Sequence, residues 1–277
     1  MDNQCRICDC TIGGTFIWRD YHNTEYAVED DVLYLKVTYP EPAFTPPRSS
    51  KEPDKESYDR IVKYCKERDI QARLCSVSEP ILQRIIGMYP GSKTWTDRAW
   101  SDYLYVSSDM TDLAGRKYSG QRNHINRFSR EHPQWSYERI AEDNLPEVRA
   151  FYEKYAREHL KDSMTYNEGD RKALEALDNL GTYGLFGGVL YVDGEVIGVS
   201  LGETVDDTLY VHTEKANIEY HGSYPMLVNQ FAKMFVTEGT EYINREEDDG
   251  VEGLRTSKLS YHPTALLNKY MVELAPG

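Results

Sequence analysis

The sequence predicts an α/β (α+β) protein in which mixed, mainly antiparallel sheets are flanked by helices. Three observations carry this. Apolar residues make up 40% of the 277 residues and charged residues 28%, enough to bury a sizeable core. The run GGVLYVDGEVIGVSLGE places Asp193–Gly194, a two-residue hairpin turn, between β-rich segments. Segments of helical periodicity then alternate with short β-branched and aromatic runs on both sides of it.

In the first half, Thr24–Tyr39 reads as a hairpin, Tyr58–Glu67 as an amphipathic helix and Ala72–Val77 as a strand. Pro80–Met88 reads as a short helix, Trp100–Val106 as a strand, Leu113–Arg130 as a helix and Trp135–Ile140 as a strand. Pro40–Pro53, rich in Pro and Ser, reads as a loop without regular structure. Pro133 and Pro146 bracket a second break, so the predicted boundary between two α/β halves falls near residue 140, giving 1–140 and 141–277.

The second half opens with Asn144 and Glu147 in capping-box spacing and Pro146 in the first turn, followed by Val148, Phe151, Tyr152, Tyr155 and Ala156 at helical spacing. A second helix covers Arg171–Asn179 and stops at Gly181. After the hairpin come a strand at Thr208–Thr213, a helix near Ser223–Val236 and a short buried strand at Thr240–Glu246. The segment DDGVEGLR reads as a loop, Pro263–Asn268 as a helix and Lys269–Leu274 as a closing strand. This order matches the core of GNAT acyltransferases (the acyl-CoA N-acyltransferase type), an analogy of fold and not of function.

A net charge of -14 argues against a surface that grips nucleic acid or anionic lipid as a whole. The N-terminal MDNQCRICDC has no apolar core of a signal peptide, and the longest apolar stretch, around Leu185–Val192, is far short of the ~20 residues of a membrane helix. The expectation is a cytoplasmic protein without a transmembrane segment. Five cysteines, Cys5, Cys8, Cys10, Cys65 and Cys75, are an odd count that argues against a disulfide framework. Cys5, Cys8 and Cys10 have the spacing of metal ligands but lack a fourth, the nearest His being His22; they are read as ordinary thiols and no metal is expected.

Three stretches carry chemistry. RKYSGQRNHINRFSR, residues 116–130, holds five Arg or Lys and no carboxylate. Arg116, Asn123, Arg127 and Arg130 share one helical stripe. Arg122 instead falls on the inward face of Tyr118 and Ile125, where a guanidinium needs a carboxylate, a phosphate or several carbonyls. An internal pairing is the alternative to an anion site. NREEDDGVEGLRTSKLSYHP, residues 244–263, follows a strand, so Asn244 and Arg245 sit at a strand's C-terminal end, where open α/β sheets bind ligands. EKANIEYHGSYPM, residues 214–226, is where a GNAT fold cradles the pyrophosphate of acyl-CoA on helix N–H groups. Only His221–Gly222–Ser223 remains of the usual glycine pattern, and Tyr224 and Pro225 reduce the free N–H groups.

The phrases KYSGQRNHINRF, GSYPMLVNQF and NREEDDGVEGLRTSKLSYHP resemble a bacterial family of unknown function allied to the C-terminal domain of phosphatidylglycerol lysyltransferase (lysylphosphatidylglycerol synthase). The likeness runs from about Phe16 to Tyr270 and includes, more weakly, FIWRDYHNTEYA. It implies two tandem GNAT-like domains, related also to the peptidoglycan aminoacyl-transferases that use charged tRNA. The full-length lipid enzymes carry a large membrane domain that this sequence lacks.

The expected function is transfer of an aminoacyl or acyl group onto a hydroxyl or amine, from aminoacyl-tRNA or another phosphorylated donor, to a small-molecule or lipid head-group acceptor. Glu246 or Glu247 is the candidate base, and Tyr261 and His262 are candidate proton donors or positioners. Lys117, Tyr118, Arg122, Asn123, Asn244, Arg245, Arg255, Lys258 and Ser260 are the candidate substrate-binding residues. Gly222, Ser223 and Tyr224 would hold acyl-CoA, the cofactor of the alternative reading as an N-acetyltransferase. A non-catalytic anion-binding module is the rival from another class.

Overall fold

The computed structural model describes residues 5–38, 41–158 and 164–275. Tyr39 of the expected hairpin and Pro40 of the expected loop lie outside them. The chain begins with helix α1 (Ile12–Trp18), strands β1 (Glu25–Glu29), β2 (Val32–Thr38) and β3 (Pro42–Phe44), and helix α2 (Lys55–Glu67). It continues through β4 (Arg73–Val77), α3 (Glu79–Met88), β5 (Lys93–Thr96), β6 (Asp102–Val106), α4 (Ser107–Asp112), α5 (Ser119–Glu131) and β7 (Trp135–Arg139). Then come α6 (Leu145–Glu158), α7 (Met164–Asp178), α8 (Leu180–Tyr183), β8 (Phe186–Val192), β9 (Glu195–Val205), β10 (Thr208–Ala216) and α9 (Ser223–Phe235). The last elements are β11 (Tyr242–Asn244), α10 (Glu252–Leu259), β12 (Ala265–Leu267) and β13 (Tyr270–Glu273).

These strands build two mixed sheets, in the order β1-β2-β3-β4-β13-β5 and β12-β6-β11-β10-β9-β8-β7. In the second sheet β10 and β11 run parallel while the other neighbours are antiparallel, because α9 crosses over between them. A division at residue 140 does not follow the sheets. β6 and β7, from the first half, belong to the second sheet, and β13, from the second half, sits inside the first.

The core follows the expected periodicities. Leu227, Val228, Phe231 and Phe235 of α9 are buried on the second sheet, and Ile61 and Cys65 of α2 are buried with Leu74 and Val272 in the first.

Four local expectations are corrected. Pro42–Phe44 is a strand within the expected loop; Pro42 stands at its first position, where proline is tolerated in a strand. The DDGVEGLR segment runs into α10, which begins at Glu252. Ala265–Leu267 pairs with β6, so a run of good helix formers is held as a strand by its tertiary partner. Cys5 and Cys10 form a disulfide, because the turn at Cys8–Cys10 brings their Cα atoms to 6.4 Å.

Candidate active site

β10 pairs with β11 only from Thr208 to Tyr210, then runs on to Ala216 beside β9 alone. A wedge therefore opens beyond the end of β11. Two ion pairs bridge it, one on each face. Arg245 donates from Nε and Nη2 to Glu214 Oε2 at 3.1 and 2.6 Å, over the rings of Tyr105 and Tyr261. On the other face His212 places Nδ1 2.7 Å from Glu246 Oε1 and Nε2 2.9 Å from Glu203 Oε1.

His212 reaches that face because the β9–β10 register shifts between Val211 and Thr213; such bulges re-aim a side chain. Its side chain is 1% exposed. Burial works against the charged imidazole, but the hydrogen bonds to Glu203 and Glu246 outweigh it and push its pKa up to about 9. The imidazole is therefore charged at neutral pH. Burial raises the Glu246 carboxyl while His212 opposes it. Glu246 holds a left-handed backbone, φ 57°, a conformation of the kind that clusters at functional sites. Its side chain is 16% exposed, so this carboxylate is the edge of the triad that meets solvent.

The N-terminal segment covers the same face. Gly13 donates its N–H to Glu203 at 2.6 Å, and a Cβ there would lie 2.3 Å from Nε2 of His212. Asn244 joins the triad to a second cluster: its Oδ1 accepts from the Glu246 N–H at 2.7 Å, and its Nδ2 donates to Asp102 Oδ2 at 2.9 Å. In that cluster the Lys269 ammonium lies 2.7 Å from Asp9 Oδ2, 2.8 Å from Asp102 Oδ1 and 2.7 Å from Glu247 Oε2.

Burial raises Asp102 to about 7 against the pull of Lys269, whereas for Asp9 the ammonium overcomes burial and holds the carboxyl down to about 2. The thiol of Cys8, with Asp102 and Glu247, has the spacing of a metal-ligand group, but Lys269 Nζ is already 3.2 Å from that sulfur. The cation these acids require is supplied by the chain itself.

The residues singled out from the sequence fall into three sets. Asn244, Arg245, Glu246, Glu247, Lys258 and Tyr261 come together around the wedge. Lys258 is buried with Nζ donating to the carbonyls of Arg245 (2.6 Å), Glu246 (3.2 Å) and Glu247, so it caps the strand end. Arg255 binds buried Asp248 through both Nε and Nη2, beside Tyr103.

The second set joins the two motifs. Tyr118 donates to the Tyr261 carbonyl at 3.1 Å, Gln121 to Ser260 Oγ at 2.8 Å, and the His262 ring meets the Lys117 carbonyl at 3.1 Å. Arg122 instead donates to the carbonyls of Leu113 and Gly115, the internal alternative, and Asn123 is exposed on α5.

The third set is the start of α9. Gly222 has φ 88°, and a Cβ there would come within 2.6 Å of the His124 carbonyl oxygen of α5. The Ser223 N–H donates to Tyr220 at 2.9 Å, its hydroxyl to Asn217 at 2.8 Å, and the Tyr224 hydroxyl is 3.2 Å from that of Tyr155. At this helix start Ser223 is buried and Gly222 lies against α5, while Tyr224 and Pro225 are half-buried.

Residues 6–273 match the family described as phosphatidylglycerol lysyltransferase, C-terminal. The chain belongs to that family. A conserved protein of unknown function from Bacteroides thetaiotaomicron is 32% identical, with a TM-score of 0.91 over 99% of this chain and 94% of that one. L-PGS from Bacillus licheniformis superposes with a TM-score of 0.67 at 12% identity, over 91% of this chain and 84% of that one. FemX does so with 0.62 at 10%, over 95% and 91%. The two sheets are thus the tandem GNAT-like fold of this phosphatidylglycerol lysyltransferase family. An uncharacterised protein of Mycoplasmoides gallisepticum is 23% identical over 177 residues, 63% of this chain; the match spans 56% of that relative's length. Among the described residues no helix is long and apolar enough to cross a membrane.

Sequence reasoning missed His212, Glu203, Gly13, Asp9, Asp102 and Lys269. His212 reads as an ordinary polar position in TLYVHT, and a bulge leaves no mark in composition. The other five are scattered from residue 9 to residue 269 and meet only through the interleaving of the sheets.

Proposed function

We propose that this chain transfers an aminoacyl or acyl group onto a hydroxyl or amine at the mouth of the β10–β11 wedge. The observation that carries it is Glu246, a strand-end carboxylate at the edge of solvent and hydrogen-bonded to a buried, charged imidazole. A carboxylate so placed can take the proton of an attacking hydroxyl or amine. The nucleophile bonds to the donor's carbonyl carbon, the bond to the leaving oxygen breaks, and the proton passes to that oxygen. His212 keeps the carboxylate oriented and offsets its charge.

The preferred donor is an aminoacyl-tRNA or another phosphorylated carrier, and the acceptor a small molecule or lipid head group. Support for this over acyl-CoA comes from the start of α9, where Ser223 N–H is already bonded, Gly222 abuts α5 and Pro225 has no N–H. Of the cations of 116–130, Arg116 and Arg130 are exposed and would be the ones to meet phosphates.

The test incubates the purified chain with radiolabelled aminoacyl-tRNA and either phosphatidylglycerol vesicles or an amine, and follows label into the acceptor. Glu246→Gln should lower transfer by about 10²–10⁴-fold while leaving tRNA binding unchanged. Unimpaired transfer by that variant would remove Glu246 from the role. Salt-insensitive acetyl-CoA binding without tRNA binding would replace the donor.

A further inference from the structure

A cavity of about 330 Å³ lies between elements of the two sheets and shares no lining residue with the His212 triad. One wall is the end of β4 and the start of α3, through Ser78 and Pro80. The facing wall is Leu104 of β6 with Leu266 and Leu267 of β12. Ile7 of the N-terminal segment completes an apolar lining. The volume falls at the lower end of small-molecule pockets, roughly 300–1,000 Å³. Ile7 and Leu104 are buried, whereas Leu266 is 38% exposed, an apolar side chain that an occupant of the cavity would cover.

The polar end of the cavity is the start of α3, a helix of 10 residues. The first N–H groups of a helix have no acceptor within it, and a serine at the cap position ordinarily accepts from one of them. Ser78 occupies that position but makes no cap bond, although it is only 8% exposed. Among the described residues its hydroxyl has no partner, a costly state for a buried polar group. Asn268 adds a donor at the rim. Its Oδ1 accepts from Ser101 Oγ at 2.9 Å, which leaves Nδ2 only a long contact of 3.5 Å with Tyr270 Oη.

Donors at one end and leucines at the other call for an amphipathic anion. The charged groups on the lining limit that anion to a single charge. Arg6 commits Nε and Nη2 to Asp207, and the Glu79 carboxylate, held by Gln83 at 2.8 Å, would repel a phosphate dianion. We propose that this cavity binds a small monocarboxylic acid, with its carboxylate at Ser78 and the start of α3 and its apolar tail against β6 and β12. Such a ligand ties α3 of the first sheet to two strands of the second and stabilises their junction. The site does not depend on the proposed transfer reaction.

The experiment titrates isocaproate, a short branched-chain acid, into the full chain by calorimetry at about pH 7, with melting temperature followed in parallel. One molecule per chain is expected, with a rise in melting temperature. The neutral amide of the same acid and inorganic phosphate should each bind at least about tenfold more weakly, the first for want of charge and the second for want of a tail. Ser78→Ala should weaken isocaproate binding about tenfold, the effect of losing one hydrogen bond to a charged group. The same substitution should leave the melting temperature of the ligand-free chain unchanged, because it removes no cap bond. Leu266→Trp should fill the cavity and abolish binding; Leu266→Phe replaces it if melting curves show that the tryptophan variant does not fold. Absence of isocaproate binding, binding unaffected by both substitutions, or tighter binding of the amide or of phosphate overturns the proposal.

Discussion

His212 shows how one side chain ties chemistry to stability. Its folded pKa of about 9 exceeds the ordinary 6.5, so the folded state holds the proton more tightly. The stabilisation is complete below about pH 6.5 and is lost as pH rises through about 9. From the shift it is worth about 3 kcal/mol at most. A urea series from pH 6 to 10 should show the parent chain losing stability across that window, and His212→Asn should flatten the loss. An unchanged slope in the variant would assign the titration elsewhere. Glu246 was legible from its place after a strand, and Asn244 and Arg245 with it. The cations Arg245, Arg255 and Lys258 were legible as charges near that strand end but not in their partners, because a sequence shows charge and not which buried acid or carbonyl absorbs it.

Helix α1 illustrates why some elements escape a sequence reading. With Gly13 and Gly14 in its first turn it has poor intrinsic propensity, and it forms because the Thr11 side chain accepts from the Gly14 N–H and the helix packs against α7, with Gly13 against His212 and Glu203. Both glycines are there for closeness: a Cβ at Gly13 meets His212 and Glu203, and one at Gly14 meets the Cys8 carbonyl at 2.3 Å. Gly13→Ala should therefore lower the melting temperature although alanine is the better helix former, and should lower transfer with it. A variant at least as stable as the parent would mean that α1 can lift away from the triad without cost. The hairpin of β8 and β9 and the helix α9, by contrast, were plain in the sequence, because turn chemistry and a single apolar face act locally. β12 was misread for the opposite reason, since its conformation is decided by β6, more than 150 residues earlier.

At the scale of the whole molecule, Lys269 sits where the sheets meet, drawing together Asp9, the start of β6 through Asp102, and the start of the second motif through Glu247. Lys269→Met should cost about 3–5 kcal/mol, because it leaves buried carboxylates without a cation. Protonation relieves that penalty, so the deficit measured by denaturation should be smaller at pH 5 than at pH 8. Equal deficits at both values would mean the acids find another partner. Two α/β halves were readable from element order, yet the exchange of strands between the sheets was not, since nothing local to β13 says which edge it will join. That exchange also sets a timetable for the ribosome. β4 and β5 are made early, but the strand that lies between them emerges more than 170 residues after β5. Until then the first sheet stops at β4 and β5 has no neighbour, which leaves unpaired strand edges of the kind on which nascent chains aggregate or recruit chaperones. The first-made sheet is the last to be finished, and a chain released before residue 270 would carry those edges permanently.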